Sequence, residues 1–187
     1  NHPFYKPAVT FSINKSDYVT SVSQSLKDDT LKLFKIKNKI KVIPNFIELD
    51  KVRKDPQAPC HRYVMAKEDE RIITHISNFR KVKRIPDIIK IFYNIQKEIP
   101  SKLLLVGEGP DRENIEHQAK KLGILDKVLF LGNSNEVNKL LCYSDLFLLP
   151  SETESFGLAA LEAMAARTPV ISTNSGGLPE VNIQGVT

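Results

Sequence analysis

From Arg71 onward the chain alternates short, unbroken apolar runs with amphipathic stretches, and this alternation restricts the fold more than any other feature. Ile72–Ile76, Leu103–Val106, Val128–Leu131, Leu146–Leu149 and Val170–Ser172 read as five strands. Asp87–Glu98, Asp111–Leu122, Glu136–Tyr143 and the stretch 157–166 read as helices between them. In the first helix Ile88, Ile91, Phe92 and Ile95 share one apolar face. Pro86 suits its first turn and Pro100 follows its end, while Gly123 stops the second helix. Strands covered on both faces are continuous apolar runs rather than alternating ones. Strands that alternate with helices imply an α/β fold with a doubly wound parallel sheet.

Upstream the pattern is less regular. A segment with Pro3 and Pro7 leads into a helix ending near Asn14, and Tyr18–Val22 reads as a short strand rich in β-branched residues. Ser23 can cap a helix with Leu26, Leu31 and Phe34 on one side. Ile40–Ile43 is a further strand, closed by Pro44 and Asn45. Glu48–Pro59 is charged and proline-interrupted, as a crossover or linker would be. The expected organisation is therefore a smaller unit over 1–44, a linker over 45–70 and a regular α/β domain over 71–187. A chain of 187 residues holds one sound core, or one domain and part of another. It begins at Asn1 without methionine and stops just after a glycine-rich loop, so a piece of a longer protein is expected.

The formal charge of +5 suits anionic small molecules as well as it suits nucleic acid. Basic residues interleaved with aromatics are absent, so no nucleic-acid partner is expected. Lys35, Lys37, Lys39 and Lys41 alternate with Ile36 and Ile40 as a solvated face would. Cys60 and Cys142 are far apart and form no CxxC pair, which makes a reducing cytoplasm the default location. No stretch is long enough for stable membrane insertion. Assembly into a homo-oligomer is left open.

Open α/β sheets bind ligands at the C-terminal ends of their strands, and loops there carry unusual chemistry. The Leu146–Leu149 strand runs into Glu152, Thr153, Glu154 and Ser155, and then into the apolar helix that Gly157 opens. Glu162 is the only charge from Leu158 to Ala166. It is either a solvated edge glutamate or a carboxylate held for ligand hydroxyls, because an unpartnered buried carboxylate is costly. Glu154 lies eight residues earlier, so both carboxylates can border one pocket at the helix N-terminus, where free N–H groups suit phosphate. After the first strand, Arg80, Lys81, Lys83 and Arg84 put four cations within five positions. Cations are disfavoured at a helix start, so a phosphate-facing cluster explains them better than solvation. Val106-Gly107-Glu108-Gly109-Pro110 has G-x-G after a strand, but Arg112 stands where a dinucleotide fingerprint needs its third glycine. Its glycines make the turn or let a base or phosphate approach the backbone. Gly176 and Gly177 in S-G-G-L-P-E can form a nest of N–H groups or a plain loop, with Glu180 a cap or loop carboxylate. His75 reads as a core histidine, His61 and His117 as surface residues, and His2 as a residue that could face a cleft. No Ser/His/Asp set or metal-ligand cluster is discernible.

Taken together, E-S-F-G-L-A-A-L-E, S-N-F-R-K-V-K-R, V-G-E-G-P, L-L-P-S and S-G-G-L-P-E resemble, in order and spacing, the motifs of retaining GT-B fold glycosyltransferases of family 4. The resemblance implies a GT-B architecture, with a Rossmann-like C-terminal domain and the tail of an N-terminal one that otherwise supplies the acceptor site. It implies that Arg80 and Lys83 hold the donor diphosphate; many members space these cations five apart, and here the gap is three, which leaves Arg84 as the alternative to Lys83. Glu154 is implied to contact the donor sugar and Glu162 the ribose hydroxyls. Ser155, Phe156, Gly157 and Leu158 are implied to meet the diphosphate, and Gly107 and the loop 133–137, ending at Val137, to border the nucleoside. The opening H-P-F-Y-K-P-A-V-T-F-S-I-N-K-S-D-Y-V-T-S-V-S and V-I-P-N-F-I are similar to one branch of the family. That branch implies UDP-N-acetylglucosamine as donor and L-malate as a small anionic acceptor, in the opening step of bacillithiol synthesis, with no metal and no further cofactor.

Overall fold

The computed structural model describes residues 4–49 and 62–187. Its larger element is a five-stranded, all-parallel sheet. β3 (Arg71–Ile76), β4 (Ser101–Val106), β5 (Val128–Gly132), β6 (Leu146–Leu149) and β7 (Val170–Ser172) lie in the order β5-β4-β3-β6-β7. β3 pairs along its whole length with β4, from Arg71 opposite Ser101 to Ile76 opposite Val106, and on its other side with β6 through Ile73–Leu146 and Thr74–Phe147. Each step between neighbours crosses over through helix, as parallel pairing requires.

Both faces of this sheet are covered, which is why its strands are unbroken apolar runs. On one face Ile73, Leu103 and Leu105 pack against Ile88, Ile89 and Phe92 of α3 (Ile85–Glu98) and Ile115 and Ala119 of α4 (Arg112–Lys121). On the other face Ile72, Leu104 and Val106 pack with Leu140 of α5 (Val137–Tyr143). Phe147 and Leu149 pack there with Leu141 and with Ala160 and Ala163 of α6 (Leu158–Ala165). The expected apolar face of α3 needs one correction. Ile91 is 37% exposed, and Ile89 takes the buried place beside Ile88. Successive helical residues are about 100° apart, so either could flank the stripe, and the sheet's position chose Ile89.

The N-terminal residues form a separate unit. β1 (Val19–Ser21) and β2 (Ile40–Val42) make a two-stranded parallel sheet, flanked by α1 (Tyr5–Asn14) and α2 (Gln24–Leu33). Neither helix contributes a buried residue. Leu31, expected on an apolar side of α2, is 44% exposed. The expected linker falls partly outside the described residues, as do His2, Cys60 and His61. Beyond it, Arg62 anchors the start of the larger unit by ion-pairing with Asp145 at 2.8 Å and donating to the Tyr143 carbonyl at 2.7 Å.

Candidate functional site

The chain leaves β3 towards β4 and β5, but leaves β6 the other way, towards β7. A crevice opens where neighbouring strands part company like this. The loops at its mouth are those after β3 and β6, which carry the cations and the glutamates. They are joined by a backbone hydrogen bond from Glu152 N–H to the Val82 carbonyl at 2.8 Å.

Lys83 and Glu154 meet across the crevice. Lys83 Nζ lies 2.5 Å from Glu154 Oε1, and Ser151 Oγ donates to the same oxygen at 2.8 Å. The two charged side chains are only 18% and 15% exposed, so removing either leaves the other poorly compensated. The remaining cations behave differently. Arg84 has a left-handed backbone (φ 53°) and its Nε donates to Asp87 Oδ2 at 2.7 Å. Burial acts to raise the Asp87 carboxyl, but hydrogen bonding and charge from Arg84, joined by Lys90, outweigh it and hold the group below the usual range. One cation at this helix start is therefore balanced by an acid in the first turn, a partner the sequence reading left out of account. Arg80 is exposed, and among the described residues its side chain has no polar partner.

A cleft of about 290 Å³ lies over the pair, with Lys83, Glu154 and Ser155 on one side. Ser25, Leu26 and Asp29 of α2 form the opposite wall. Sequence reasoning missed these three; the only signal near them was the helix cap at Ser23. Of the other expected site residues, Arg80, Gly107, Val137, Phe156, Gly157, Leu158 and Glu162 do not line this cleft.

Several of them have structural duties. A Cβ on Gly107 (φ 122°) would stand 1.9 Å from the Ser77 carbonyl oxygen, and one on Gly109 would stand 2.5 Å from that of Phe79. The G-x-G pair thus seats the cation-bearing loop against the end of β4. Val137 opens α5 and packs into the core around Leu141 and Phe147. Phe156 is buried, and Gly157 (φ 95°) turns the chain into α6 just ahead of Leu158. The nest reading of Gly176 and Gly177 needs correction: the Gly177 amide donates to the Glu154 carbonyl at 2.7 Å. A Cβ on Gly176 (φ 61°) would fall 2.2 Å from that same oxygen, so the paired glycines brace the Glu154 loop.

Glu162 is half-buried on α6, with no polar partner among the described residues. Burial pushes its carboxyl above the ordinary value. Among the described residues it is a partly desolvated acceptor without a protein donor. His75 is fully buried, as expected of a core histidine. The Leu148 carbonyl at 2.8 Å can only accept, so Nδ1 carries the proton and Nε2 accepts from Ser77 Oγ at 2.7 Å. Burial draws its pKa down to about 4. Among the described residues no group of three or more His, Cys, Asp or Glu is gathered as a metal site, and no helix is long and apolar enough to cross a membrane.

Residues 61–187 match the family described as glycosyl transferases group 1, and residues 1–51 match glycosyltransferase family 4. The chain is 45% identical over 185 residues to N-acetyl-alpha-D-glucosaminyl L-malate synthase of Bacillus anthracis, covering 99% of this chain and 49% of that protein. It is 34% identical over 177 residues to an uncharacterized glycosyltransferase of Methanocaldococcus jannaschii, covering 91% and 45%. The chain thus spans about half the length of the curated relatives it matches. Among solved structures, Anabaena HepE in complex with UDP and glucose superposes with a TM-score of 0.84 at 22% identity, over 96% of this chain and 51% of that one. That likeness bears out the GT-B, Rossmann-like architecture.

Proposed function

This chain belongs to the group 1 glycosyltransferases, and from that premise we propose that it is the donor-binding part of a retaining transferase. The reaction moves N-acetylglucosamine from UDP-N-acetylglucosamine to the hydroxyl of L-malate. The observation that carries the reading is the Lys83–Glu154 pair at the parting of β3 and β6, with Arg80, which has no partner among the described residues, on the same loop as Lys83. The name of the Bacillus anthracis relative, a synthase of N-acetyl-alpha-D-glucosaminyl L-malate, supports the choice of sugar and acceptor.

The chemical demand is on the leaving group. As the bond between the sugar's anomeric carbon and the diphosphate oxygen breaks, negative charge grows on the β-phosphate. Lys83 keeps two ammonium hydrogens beyond the one given to Glu154, and Arg80 keeps its whole guanidinium fork for that charge. The first N–H groups of α6, which have no partner within the helix, add a fixed positive end. Such donors need no reorganisation during the reaction, and each is worth about 10²–10³ in rate. The malate hydroxyl attacks the same face that the diphosphate leaves. Its proton passes to the departing phosphate oxygen, and the products are UDP and the malyl glycoside. Glu154 holds the sugar's hydroxyls and Glu162 the ribose, which gives the half-buried carboxylate the donors it lacks. No metal ion takes part.

The test uses the full-length protein with UDP-N-acetylglucosamine and L-malate, with the product's anomeric configuration read by NMR. Arg80→Ala should lose about 10²–10³ in turnover while the melting temperature holds. Full turnover in that variant overturns the assignment. Transfer to a lipid or polysaccharide acceptor in place of malate points to another family 4 transferase, and UDP binding without any product points to a binding module.

A further inference from the structure

Three loops and the start of one helix line the cleft, and the proposed reaction gives that helix no part. The helix is α2, whose Ser25, Leu26 and Asp29 make the wall facing Lys83 and Glu154. The first N–H groups of a helix have no partner within it. Here each of the first three is met by a side chain. Glu180 Oε2 accepts from Gln24 N–H and Glu180 Oε1 from Ser25 N–H, both at 2.8 Å. Ser23 Oγ accepts from Leu26 N–H at 3.0 Å.

The capping carboxylate comes from 155 residues away in the chain. Glu180 ends the short 3₁₀ turn Leu178–Glu180, directly after Gly176 and Gly177. That turn is fastened to the candidate site, since Gly177 N–H donates to the Glu154 carbonyl at 2.7 Å. Ser23 supplies a second fastening. It is buried, and its hydroxyl donates to the Ser155 carbonyl at 2.6 Å while accepting from Leu26. A continuous chain of hydrogen bonds therefore runs from the start of α2, through Glu180 and Gly177, to the backbone of the residue that pairs with Lys83.

We propose that Glu180 is a positioning residue: by capping α2 with both carboxylate oxygens it holds that helix as the far wall of the Lys83–Glu154 cleft. The contact is directional and anionic, and it matches the partial positive charge at the helix start. Among the described residues α2 has no buried residue, and Ser23 and Glu180 supply hydrogen bonds from it to the larger unit. Glu180 itself does not line the cleft. It acts through α2 and the Ser23–Ser155 bond on the geometry around the donor, and this role rests on the functional reading above.

The test compares full-length wild type with Glu180→Gln and Glu180→Asp. Amide hydrogen exchange at Gln24 and Ser25 needs no ligand and reads the clasp directly. In Glu180→Gln it should quicken roughly tenfold, the usual worth of a lost cap, with a smaller change in Glu180→Asp, which keeps the charge. Turnover reads the positioning. In Glu180→Gln, kcat should fall roughly tenfold, as misplaced groups near a reaction centre do. UDP affinity by calorimetry and the melting temperature should stay close to wild type. Unchanged exchange at residues 24 and 25 overturns the clasp. Unchanged kcat, or losses of UDP affinity and melting temperature that match the loss of turnover, overturn the positioning role. If the wild type itself bound no UDP and made no product while exchange quickened in Glu180→Gln, the clasp would stand and the functional reading would fall.

Discussion

The two sheets of this chain are built on the same parallel logic, yet they bury very different things. The five-stranded sheet is covered by helices on both faces, and α3 alone places Ile85, Ile88, Ile89 and Phe92 out of solvent. The two-stranded sheet has three paired residues per strand, and its two helices bury none. Phe4, Tyr5, Phe11 and Tyr18 are 72%, 57%, 65% and 93% exposed. A pair of short strands cannot make a core of its own. The larger unit is thus held by apolar packing, and α2 is located against it by directional hydrogen bonds through Ser23 and Glu180. Within these 187 residues, then, the two walls of the cleft are held differently, the Lys83–Glu154 side by a packed core and the α2 side by hydrogen bonds.

The bluntest way to break this contrast is to cut the same side chain in both units. Phe92→Ala should cost about 3–5 kcal/mol by leaving a cavity in a packed core. In the 187-residue chain Phe11→Ala should shift stability by no more than about 0.5 kcal/mol, as exposed positions do. Urea unfolding of each variant measures both, and similar losses would remove the distinction. A second test probes the core from its centre. His75 binds its proton less readily in the folded protein than in the unfolded chain, because burial lowers its pKa from 6.5 to about 4. Its contribution is fully present above pH 6.5 and is lost as pH falls towards 4, so stability should decline across that window. An imidazole NMR titration with a midpoint near 6.5 would show instead that the histidine is open to water. The smallest effect sharpens the contrast by its exception. Glu162 is a half-buried group of the larger unit without a described partner, and its raised pKa means that folding favours the protonated form. Its stabilising share is full below pH 4.5 and is lost as pH rises through the folded value, which leaves a cost at neutrality. Glu162→Gln should therefore stabilise the free protein slightly, by no more than about 0.5 kcal/mol, while weakening UDP binding. A melting temperature that fell in the free protein would mean that Glu162 has a stabilising partner of its own.

Much of the fold was legible because it follows from local pattern. Each expected strand of the larger sheet exists within about two residues of its expected limits, and the Ser23 cap is present. What was not legible concerned facing. Periodicity marks a stripe on α3 but does not say that Ile89, rather than Ile91, meets the sheet. Turn chemistry marks the glycines at 107, 109, 176 and 177 as special. It does not say that the approaching group at each is a neighbouring loop's carbonyl. Glu180 could be read as a cap, but not as the cap of α2, because a carboxylate's partner across 155 residues leaves no trace in spacing.

The order of residues was enough to determine the alternation of strand and helix, the parallel sheet, and the loops on which cations and glutamates would be found. These are short-range properties, set by side-chain period, by φ preference and by the need to cover both faces of a parallel sheet. Tertiary structure alone decided that Lys83 takes Glu154 while Arg84 takes Asp87, that Arg80 is left without a partner among the described residues, and that α2 closes the cleft. A charge chooses its partner by distance in space and by how far water has been excluded between them, and neither quantity exists until the chain has folded.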